Sequence, residues 1–244
     1  MKPSKRPSKE DFVLTEREKV ENEVFDKETL KVLSRIIKKG LVSSVDYPIS
    51  TGKEANVFRA TTPSGEFIIV KVYKIDTSPF FRREEYLTGD PRFAKIKHNN
   101  KDIVFTFAKK EFKNLQICEN AGVNAPRPIY MEKNVLLMSF LGVDGLPYPT
   151  LNQVGPRSEK DLESVLKDIK KMYCAGLVHT DLSEYNLLLG DFPYLIDFGQ
   201  GVITSTPNAD KFLQRDVLNV LNYFRKAGYI RDFEKTLAFI KNKK

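Results

Sequence analysis

Hydrophobic residues recur at intervals of three or four positions in five segments of the chain, which predicts five amphipathic helices. The first segment ends in Lys38 and Lys39 followed by Gly40, a typical stop signal for a helix. The pattern Ser158-x-x-Asp161 predicts the N-terminal cap of the third helix. The predicted helices cover residues 26–42, 107–122, 158–176, 209–228 and 231–244.

Short apolar runs rich in β-branched residues predict strands on either side of the second helix. The runs at 55–61 and 66–75 flank a Pro-Ser-Gly turn at 63–65. The runs at 127–133 and 134–142 adjoin each other after the helix. Two pairs of neighbouring strands are therefore expected.

The order of these elements is strands with one helix, followed by a mainly helical second half, and no internal repeat is visible. This order predicts an α+β fold of two lobes with a ligand-binding cleft between them. We expect a tail and helix at 1–46, an N-lobe at 47–141 and a C-lobe at 142–244. Residues 145–155, which are rich in Pro and Gly, are the expected hinge region.

Two segments do not follow a regular pattern. Residues 1–12 are rich in Lys, Ser and Pro and are expected to form a disordered tail. Residues 76–108 are heavily charged and irregular, as is typical of a functional or mobile loop. Within this loop, the cluster at 80–93 places arginines beside aromatic residues, which would suit RNA contact. The acidic residues among them favour a solvated loop instead.

The stretch LVHTDLSEYNLLLGDFPYLIDFGQGV, residues 177–202, interrupts strand-like runs with carboxylates and an asparagine. Because an unpaired carboxylate is costly to bury, such residues at strand ends point to a bound cation. A turn between the runs would bring Asp181, Asn186 and Asp197 together, and Mg²⁺ prefers their oxygen atoms. In enzymes, Mg²⁺ is commonly bound together with the phosphate groups of a substrate. The pattern therefore predicts phosphoryl transfer, with Asp181 orienting an attacking hydroxyl and accepting its proton.

Phosphoryl transfer of this kind requires further groups upstream, and the sequence contains candidates for them. Lys71, within an apolar run, could hold the α and β phosphates, and Glu111 on the following helix could pair with it. The segment STGKEANVF, residues 50–58, could cover the phosphates with its backbone amides and with the hydroxyls of Ser50 and Thr51.

Each candidate alone also has an ordinary structural interpretation. The aspartates could cap turns, and Asn186 could be a turn residue. Lys71 could extend from a strand edge, and Glu111 could pair with Lys110 on a solvated face. His179 is expected to brace the loop and not to take part in chemistry. The phosphate loop, Lys71, Glu111, the Asp181–Asn186 loop and Asp197 follow one another in the order known from protein kinases. Their joint occurrence favours a single active site over five unrelated structural roles.

The segments STGKEANVF and HTDLSEYNLLL resemble the RIO family of atypical protein kinases, most closely its Rio1 branch, over residues 30–225 or so. The resemblance implies a bilobal protein-kinase-like fold that uses ATP and Mg²⁺, with Mn²⁺ as an alternative. It implies that Asp181 is catalytic, that Asn186 and Asp197 bind metal, and that Asp197 becomes transiently phosphorylated. Residues 138–141 would form the hinge strand that receives adenine. The implied ATP-binding residues are Ser50, Thr51, Gly52, Lys53, Val57, Lys71, Glu111, Met138, Ser139, Phe140 and Leu141.

The sequence also departs from ordinary protein kinases. The phosphate loop has one glycine, Gly52, where ordinary kinases have three. No Ala-Pro-Glu element is present, and only nine residues separate Gly201 from Lys211. We therefore expect no activation segment and no platform for a peptide substrate, as in the RIO family.

Composition narrows the classes of partner. The net charge of +8, from 40 Lys and Arg against 32 Asp and Glu, would favour a polyanionic partner. No run of about 18 apolar residues occurs, and the N-terminus is basic and polar, so we expect a cytoplasmic protein without a membrane span. Cys118 and Cys174 lie far apart in a chain with two histidines. They are expected to be buried thiols and not part of a structural zinc site.

Three functions follow from these observations. The resemblance implies a serine protein kinase and ATPase that acts in maturation of the small ribosomal subunit, with the precursor particle (rRNA and ribosomal proteins) as partner. The alternative is a nucleotide-gated ribosome assembly factor with little kinase activity. A small-molecule phosphotransferase of the aminoglycoside type also lacks an activation segment. The Lys53-Glu54 pair in the phosphate loop argues against that third function.

Overall fold

The computed structural model of the chain describes residues 25–75, 90–93 and 99–242. The predicted tail at 1–12 and much of the predicted irregular segment lie outside these residues. In the described ranges a strand-rich N-lobe is followed by a mainly helical C-lobe, as the hydrophobic pattern predicts.

One antiparallel sheet of five strands, in the order β1-β2-β3-β5-β4, forms the N-lobe. The predicted turn between β2 and β3 contains Gly65 at a φ of +85°, a conformation that glycine adopts without steric cost. The β4–β5 turn contains Lys133, also at positive φ. The predicted strands are confirmed, and β1 is an additional one. Their bounds are β1 Ser44–Thr51, β2 Ala55–Thr61, β3 Phe67–Tyr73, β4 Pro128–Glu132 and β5 Val135–Ser139.

Helix α1, Lys27–Lys38, packs on this sheet through its apolar face. Its N-cap is Asp26, whose carboxylate accepts hydrogen bonds from the backbone amides of Glu28 and Thr29. Val32 and Ile36 are fully buried against strand residues. The predicted boundary at 46/47 falls inside β1, and α1 packs on the N-lobe sheet.

Helix α2, Asn100–Asn120, begins seven residues before the predicted start at 107. Asn99 caps it by accepting a hydrogen bond from the Asp102 amide at 2.8 Å. Ile103 and Val104 are buried and extend the apolar face that continues at Phe107. The segment looked irregular in sequence because charged residues surround this single apolar turn.

In the part of the chain that the structure describes, the C-lobe has four α-helices with short strands between them. Helix α4 packs against both the strand segments and α6. The helices are α3 Leu151–Val154, α4 Glu159–Cys174, α5 Ala209–Lys226 and α6 Phe233–Lys241. The short strands are β6 Gly142–Val143, β7 Leu146–Pro147, β8 Leu177–Val178, β9 Leu187–Leu189, β10 Pro193–Leu195 and β11 Val202–Ile203.

The cap position predicted for α4 is confirmed, since Ser158 is its N-cap residue, but the hydrogen bonds differ from the predicted ones. Ser158 makes no side-chain cap hydrogen bond. The carboxylate of Asp161 instead accepts hydrogen bonds from the backbone amide of Arg157, at 2.8 Å, and from its guanidinium, at 2.9 Å. Arginine offers both groups to one carboxylate, and a charge-assisted pair of this kind is stronger than a serine cap.

The connection into α5 is short. Strand β11 pairs with β8, and residues 204–208 alone join it to α5. This short connection agrees with the prediction that no activation segment follows Asp197.

Two further sequence predictions concern the cysteines and the membrane. Cys118 is buried as predicted, and burial raises the pKa of its thiol. Cys174 is exposed, contrary to prediction, because it occupies the last turn of α4 away from the apolar face. In the described ranges, none of the helices is both long and apolar enough to cross a membrane.

Candidate active site

A cleft of about 690 Å³ lies between the two lobes. Its walls come from the β1–β2 turn, from β3 and α2, and from the loops around β8, β9 and β10. Most of the sequence-predicted site residues line it. These are Ser50, Gly52, Lys53, Val57, Lys71, Glu111, Met138, Ser139, Leu141, Asp181, Asn186 and Asp197.

Lys71 joins the two lobes at the centre of the cleft. It lies on β3 opposite Val57 of β2 and Leu136 of β5, so its side chain is fixed by a strand paired on both sides. Its ammonium donates hydrogen bonds of 2.9 Å to Glu111 and 2.9 Å to Asp197. Burial alone would lower the pKa of Lys71. The carboxylates of Asp197 and Glu111 outweigh burial and raise the pKa, so the lysine is a permanent cation.

Tyr73 is a member of the site that sequence reasoning missed. It lies two residues after Lys71 on β3, and its hydroxyl donates a hydrogen bond to Glu111. Burial, together with the charges of Glu111 and Asp197, raises the pKa of the phenol well above its usual value. Glu111 is therefore held by a cation and a neutral donor, which satisfies a carboxylate that is 1% exposed. The i, i+2 spacing of Lys71 and Tyr73 on one strand face was the available signal.

The loop between β8 and β9, which contains Asp181, is braced from inside by His179, as predicted. The imidazole is fully buried and packs on the Phe198 ring at a centroid distance of 4.8 Å. Its Nε2 lies 2.9 Å from the carbonyl oxygen of Ile196, and its Nδ1 accepts from the Asp181 amide at 3.4 Å. A carbonyl can only accept, so Nε2 is the protonated nitrogen. The ring thus links the Asp181 loop to the strand end that carries Asp197.

Helix α5 holds the same loop from the other side through residues that were not predicted. The Asp216 carboxylate accepts hydrogen bonds from the amides of Thr180, at 2.7 Å, and Leu182, at 3.1 Å. Arg215 donates to the Thr180 carbonyl, and Asn219 donates to the Leu182 carbonyl. Burial raises the pKa of Asp216 despite these contacts. A carboxylate on the apolar stripe of a predicted helix was the sequence signal for this role.

The backbone is in the left-handed region at two points of the site. Thr180, just before Asp181, has a φ of +72°, and Asp197 has a φ of +66°. Non-glycine residues are uncommon in this region and are kept there by surrounding contacts. The contacts of Asp216 and of Lys71 provide that constraint.

The predicted phosphate loop is a tight β1–β2 turn. The Gly52 amide donates to the Ala55 carbonyl at 2.9 Å, and Lys74 donates to the Gly52 carbonyl at 2.7 Å. Ser50, Gly52 and Lys53 line the cleft. Thr51, which was also predicted to contact phosphate, is the last residue of β1, where it pairs with Asn56, and its exposed side chain does not line the cleft.

The far end of the cleft contains three of the four predicted hinge residues. Met138, Ser139 and Leu141 line it, and the Ser139 hydroxyl accepts from the Arg127 amide at 2.9 Å. Phe140 does not line the cleft. The chain leaves β5 after Ser139, and the Phe140 ring packs against Phe67 with centroids 6.0 Å apart. Its side chain therefore lies outside the cleft.

The donor set fits Mg²⁺ bound together with phosphate. Asn186 donates its amide nitrogen to the Asp181 carbonyl at 2.7 Å, which leaves its amide oxygen as the atom suited to a cation. Asp197 adds a half-exposed carboxylate in the same cleft. Among the residues described, no group of three or more His, Cys, Asp or Glu side chains is arranged for a metal ion. Mg²⁺ commonly has only one or two protein ligands when phosphate oxygens and water complete its coordination shell. One carboxylate and one amide oxygen match that number.

This architecture is that of the protein-kinase-like fold, in which a β-rich N-lobe and a helical C-lobe enclose the site. The structure of the Rio2 kinase–ADP/Mg²⁺–phosphoaspartate complex from Chaetomium thermophilum superposes with a TM-score of 0.64 at 20% identity. The match covers 86% of this chain and 65% of that one. At this identity the likeness establishes the fold.

The RIO domain profile matches residues 56–236, and the chain belongs to the RIO family. The RIO-type serine/threonine-protein kinase Rio1 of Haloferax volcanii is 40% identical over 91% of this chain and 77% of its own length. The Rio1 of Thermoplasma acidophilum is 41% identical over 77% of this chain and all of its own length. Human serine/threonine-protein kinase RIO1 is 38% identical over 84% of this chain, which spans 37% of that protein. These relatives confirm the predicted resemblance to the Rio1 branch.

Proposed function

We propose that this chain is an atypical serine/threonine kinase that binds ATP and Mg²⁺ in the cleft and transfers the γ-phosphoryl group. The observation that carries the proposal is the position of Lys71, which contacts both Glu111 and Asp197 at 2.9 Å in a cleft shared with Asp181 and Asn186. A buried lysine, a metal-suited carboxylate and a candidate base in one cleft form the arrangement that phosphoryl transfer requires. The Rio1 relatives support the same function.

Each residue has a defined task in this proposal. Lys71, a permanent cation, holds the non-transferred phosphates, and Glu111 and Tyr73 fix its position. Asn186 and Asp197 would hold Mg²⁺, which neutralises charge on the phosphates when bound. Catalysis then depends on positioning and electrostatic stabilisation more than on covalent chemistry by the protein.

Asp181 is the proposed general base. Its side chain is exposed to the cleft, and its backbone is fixed by His179 and by Asn186. A carboxylate in this position can orient a serine hydroxyl and accept its proton as the oxygen attacks phosphorus. The same geometry suits an attacking water.

A second function is a nucleotide-gated assembly factor in which Asp197 itself is phosphorylated. Two observations favour it: residues 204–208 leave little chain for a peptide platform, and the carboxylate of Asp197 is 51% exposed in the cleft. The related Rio2 structure is described as a phosphoaspartate complex. The proposed partner is a precursor of the small ribosomal subunit, for which the net charge of +8 is suited, and the proposed location is the cytoplasm.

The deciding experiment incubates the protein with Mg²⁺ and γ-labelled ATP and follows phosphate release and label on the chain. Hydroxylamine-labile label that is lost in Asp197→Asn would establish the aspartyl-phosphate cycle. Stable label on serine, with transfer to an added protein, would establish a kinase. Absence of any turnover would contradict both functions. The ribosomal partner is tested by binding to purified small-subunit particles, which should weaken steeply as salt rises.

A further inference from the structure

We propose that Gln200 is a catalytic residue that holds, together with Asp181, the water molecule that hydrolyses phosphorylated Asp197. The inference rests on the aspartyl-phosphate cycle of the proposed function and assigns its second step. Gln200 lies three residues after Asp197 and lines the cleft.

The side chain of Gln200 reaches Asp181 directly. Its amide nitrogen donates to Asp181 Oδ2 at 3.3 Å, which ties the amide to the candidate base. With the nitrogen so engaged, the amide oxygen is the acceptor that can take a hydrogen bond from water. A carboxylate and an amide oxygen side by side provide two acceptors, one for each hydrogen of a single water molecule. Glutamine orients an attacking water in the same manner in other phosphoryl-transfer enzymes.

The backbone around Gln200 is fixed by α2, so the side chain is presented from a rigid position. Lys110 donates to the Gln200 carbonyl at 2.9 Å. Asn114 donates to the carbonyls of Phe198, at 2.9 Å, and Gly201, at 2.8 Å. Lys110 and Asn114 are both fully buried. Three carbonyls within four residues are thereby held by two side chains of one helix.

A second layer of contacts reinforces this arrangement. Arg92 donates to the Asn114 amide oxygen at 2.9 Å and pairs with the buried carboxylate of Asp90 at 2.7 Å. Burying these polar groups is costly unless each has a partner. These contacts all lead to the backbone at 198–201, which carries Gln200. We therefore assign Lys110 and Asn114 as positioning residues for Gln200.

The proposed step balances as a hydrolysis. The oxygen of water forms a bond to phosphorus while the bond between phosphorus and the Asp197 carboxylate oxygen breaks. Asp181 accepts one proton from the water, and the Gln200 amide oxygen holds the other hydrogen. The products are inorganic phosphate and the free Asp197 carboxylate, and no further reactant is required.

The test separates formation of the phosphorylated protein from its decay. Wild type, Gln200→Ala and Gln200→Asn are labelled with γ-labelled ATP and Mg²⁺, formation is stopped with EDTA, and loss of hydroxylamine-labile label is followed. We expect Gln200→Ala to form the label at the wild-type rate and to lose it roughly 10- to 100-fold more slowly. Gln200→Asn, whose side chain is one methylene shorter, should lose the label at a rate between those of wild type and Gln200→Ala.

A matched control is available in Gln214, whose amide donates to the Asp210 carboxylate at 2.8 Å outside the cleft. Gln214→Ala should form and lose the label as wild type does. Unchanged decay in Gln200→Ala would overturn the proposal, as would slower formation with unchanged decay. If wild type itself forms no hydroxylamine-labile label, the aspartyl-phosphate cycle is contradicted, and the role assigned to Gln200 is contradicted as well. A purely structural role for Gln200 would lower thermal stability or nucleotide affinity, and we expect both to match wild type.

Discussion

The ammonium of Lys71 lies 2.9 Å from a carboxylate oxygen of Asp197, although 126 positions separate the two residues in the chain. This contact ties β3 of the N-lobe to the metal loop of the C-lobe across the cleft. The other hydrogen bond of Lys71, to the buried Glu111, makes the lysine the common partner of two carboxylates. Its removal should therefore affect both chemistry and stability.

Substitution Lys71→Met should reduce ATP turnover by roughly 100-fold or more, because it removes the cation that holds the phosphates. It should also lower the free energy of unfolding by roughly 1–3 kcal/mol, since Glu111 would keep a buried charge with one partner fewer. Turnover and urea denaturation measure the two effects. The double substitution Lys71→Met with Glu111→Gln should recover part of the stability and none of the turnover. The exposed Lys160, replaced by Met, serves as the control.

Asp181 and Asp197 should respond differently to replacement by asparagine. Asp197→Asn weakens the metal site, so Mg²⁺-dependent nucleotide affinity should fall by roughly 10-fold or more. Asp181→Asn removes the base and should leave nucleotide affinity within about twofold of wild type while turnover falls by roughly 100-fold or more. Titration with a fluorescent ATP analogue, with and without Mg²⁺, measures affinity. Wild-type binding and turnover in both variants would show that the site lies elsewhere.

Asp216 should be required for stability as well as for activity. Asp216→Ala leaves the buried amides of Thr180 and Leu182 without their acceptor. A cost of roughly 2–4 kcal/mol in the free energy of unfolding is expected. Chemical denaturation of the variant tests this value. Asp210→Ala, at an exposed position of the same helix, removes a surface ion pair with Lys241 and a hydrogen bond from Gln214 and should change stability by roughly 1 kcal/mol or less. Equal stability of the two variants would argue against a role for Asp216 in holding the loop.

Lys110 should make stability depend on pH in a predictable direction. Burial lowers the pKa of Lys110 to about 7, whereas the unfolded chain keeps the ordinary lysine value of about 10.4. Between pH values of about 7 and about 10.4, the Lys110 amine is protonated in the unfolded state and neutral in the folded state. The free energy of unfolding therefore rises with pH in this range. From pH 6 to pH 9 wild type should gain roughly 2–3 kcal/mol relative to Lys110→Met, which has no titratable group at this position. Urea denaturation of both proteins at the two pH values measures the gain, and a constant difference would contradict the prediction.

The local hydrophobic patterns of the sequence were sufficient to predict most of the helices and strands. Alternating and helical spacing of apolar residues located β2 to β5 and the helices α4, α5 and α6, because these periodicities depend on neighbours within a few positions. The short helix α3 lies inside the segment that was expected to be a hinge region. The start of α2 was misplaced because its first turn has a single buried apolar pair, Ile103 and Val104, among charged residues. The N-cap position of α4 was predicted correctly, but the Asp161 carboxylate accepts hydrogen bonds from Arg157, a contact that the Ser158-x-x-Asp161 pattern does not specify.

The sequence by itself determined which chemical groups are available and in what order: a lysine on an inner strand, a glutamate on the next helix, then Asp181, Asn186 and Asp197. Tertiary structure alone decided which groups meet. It placed Asp216 under the catalytic loop, brought Gln200 to Asp181, and turned Phe140 away from the cleft. The reason is physical: a polar side chain is buried only where a distant part of the chain supplies its partner. No periodicity within one segment specifies that partner.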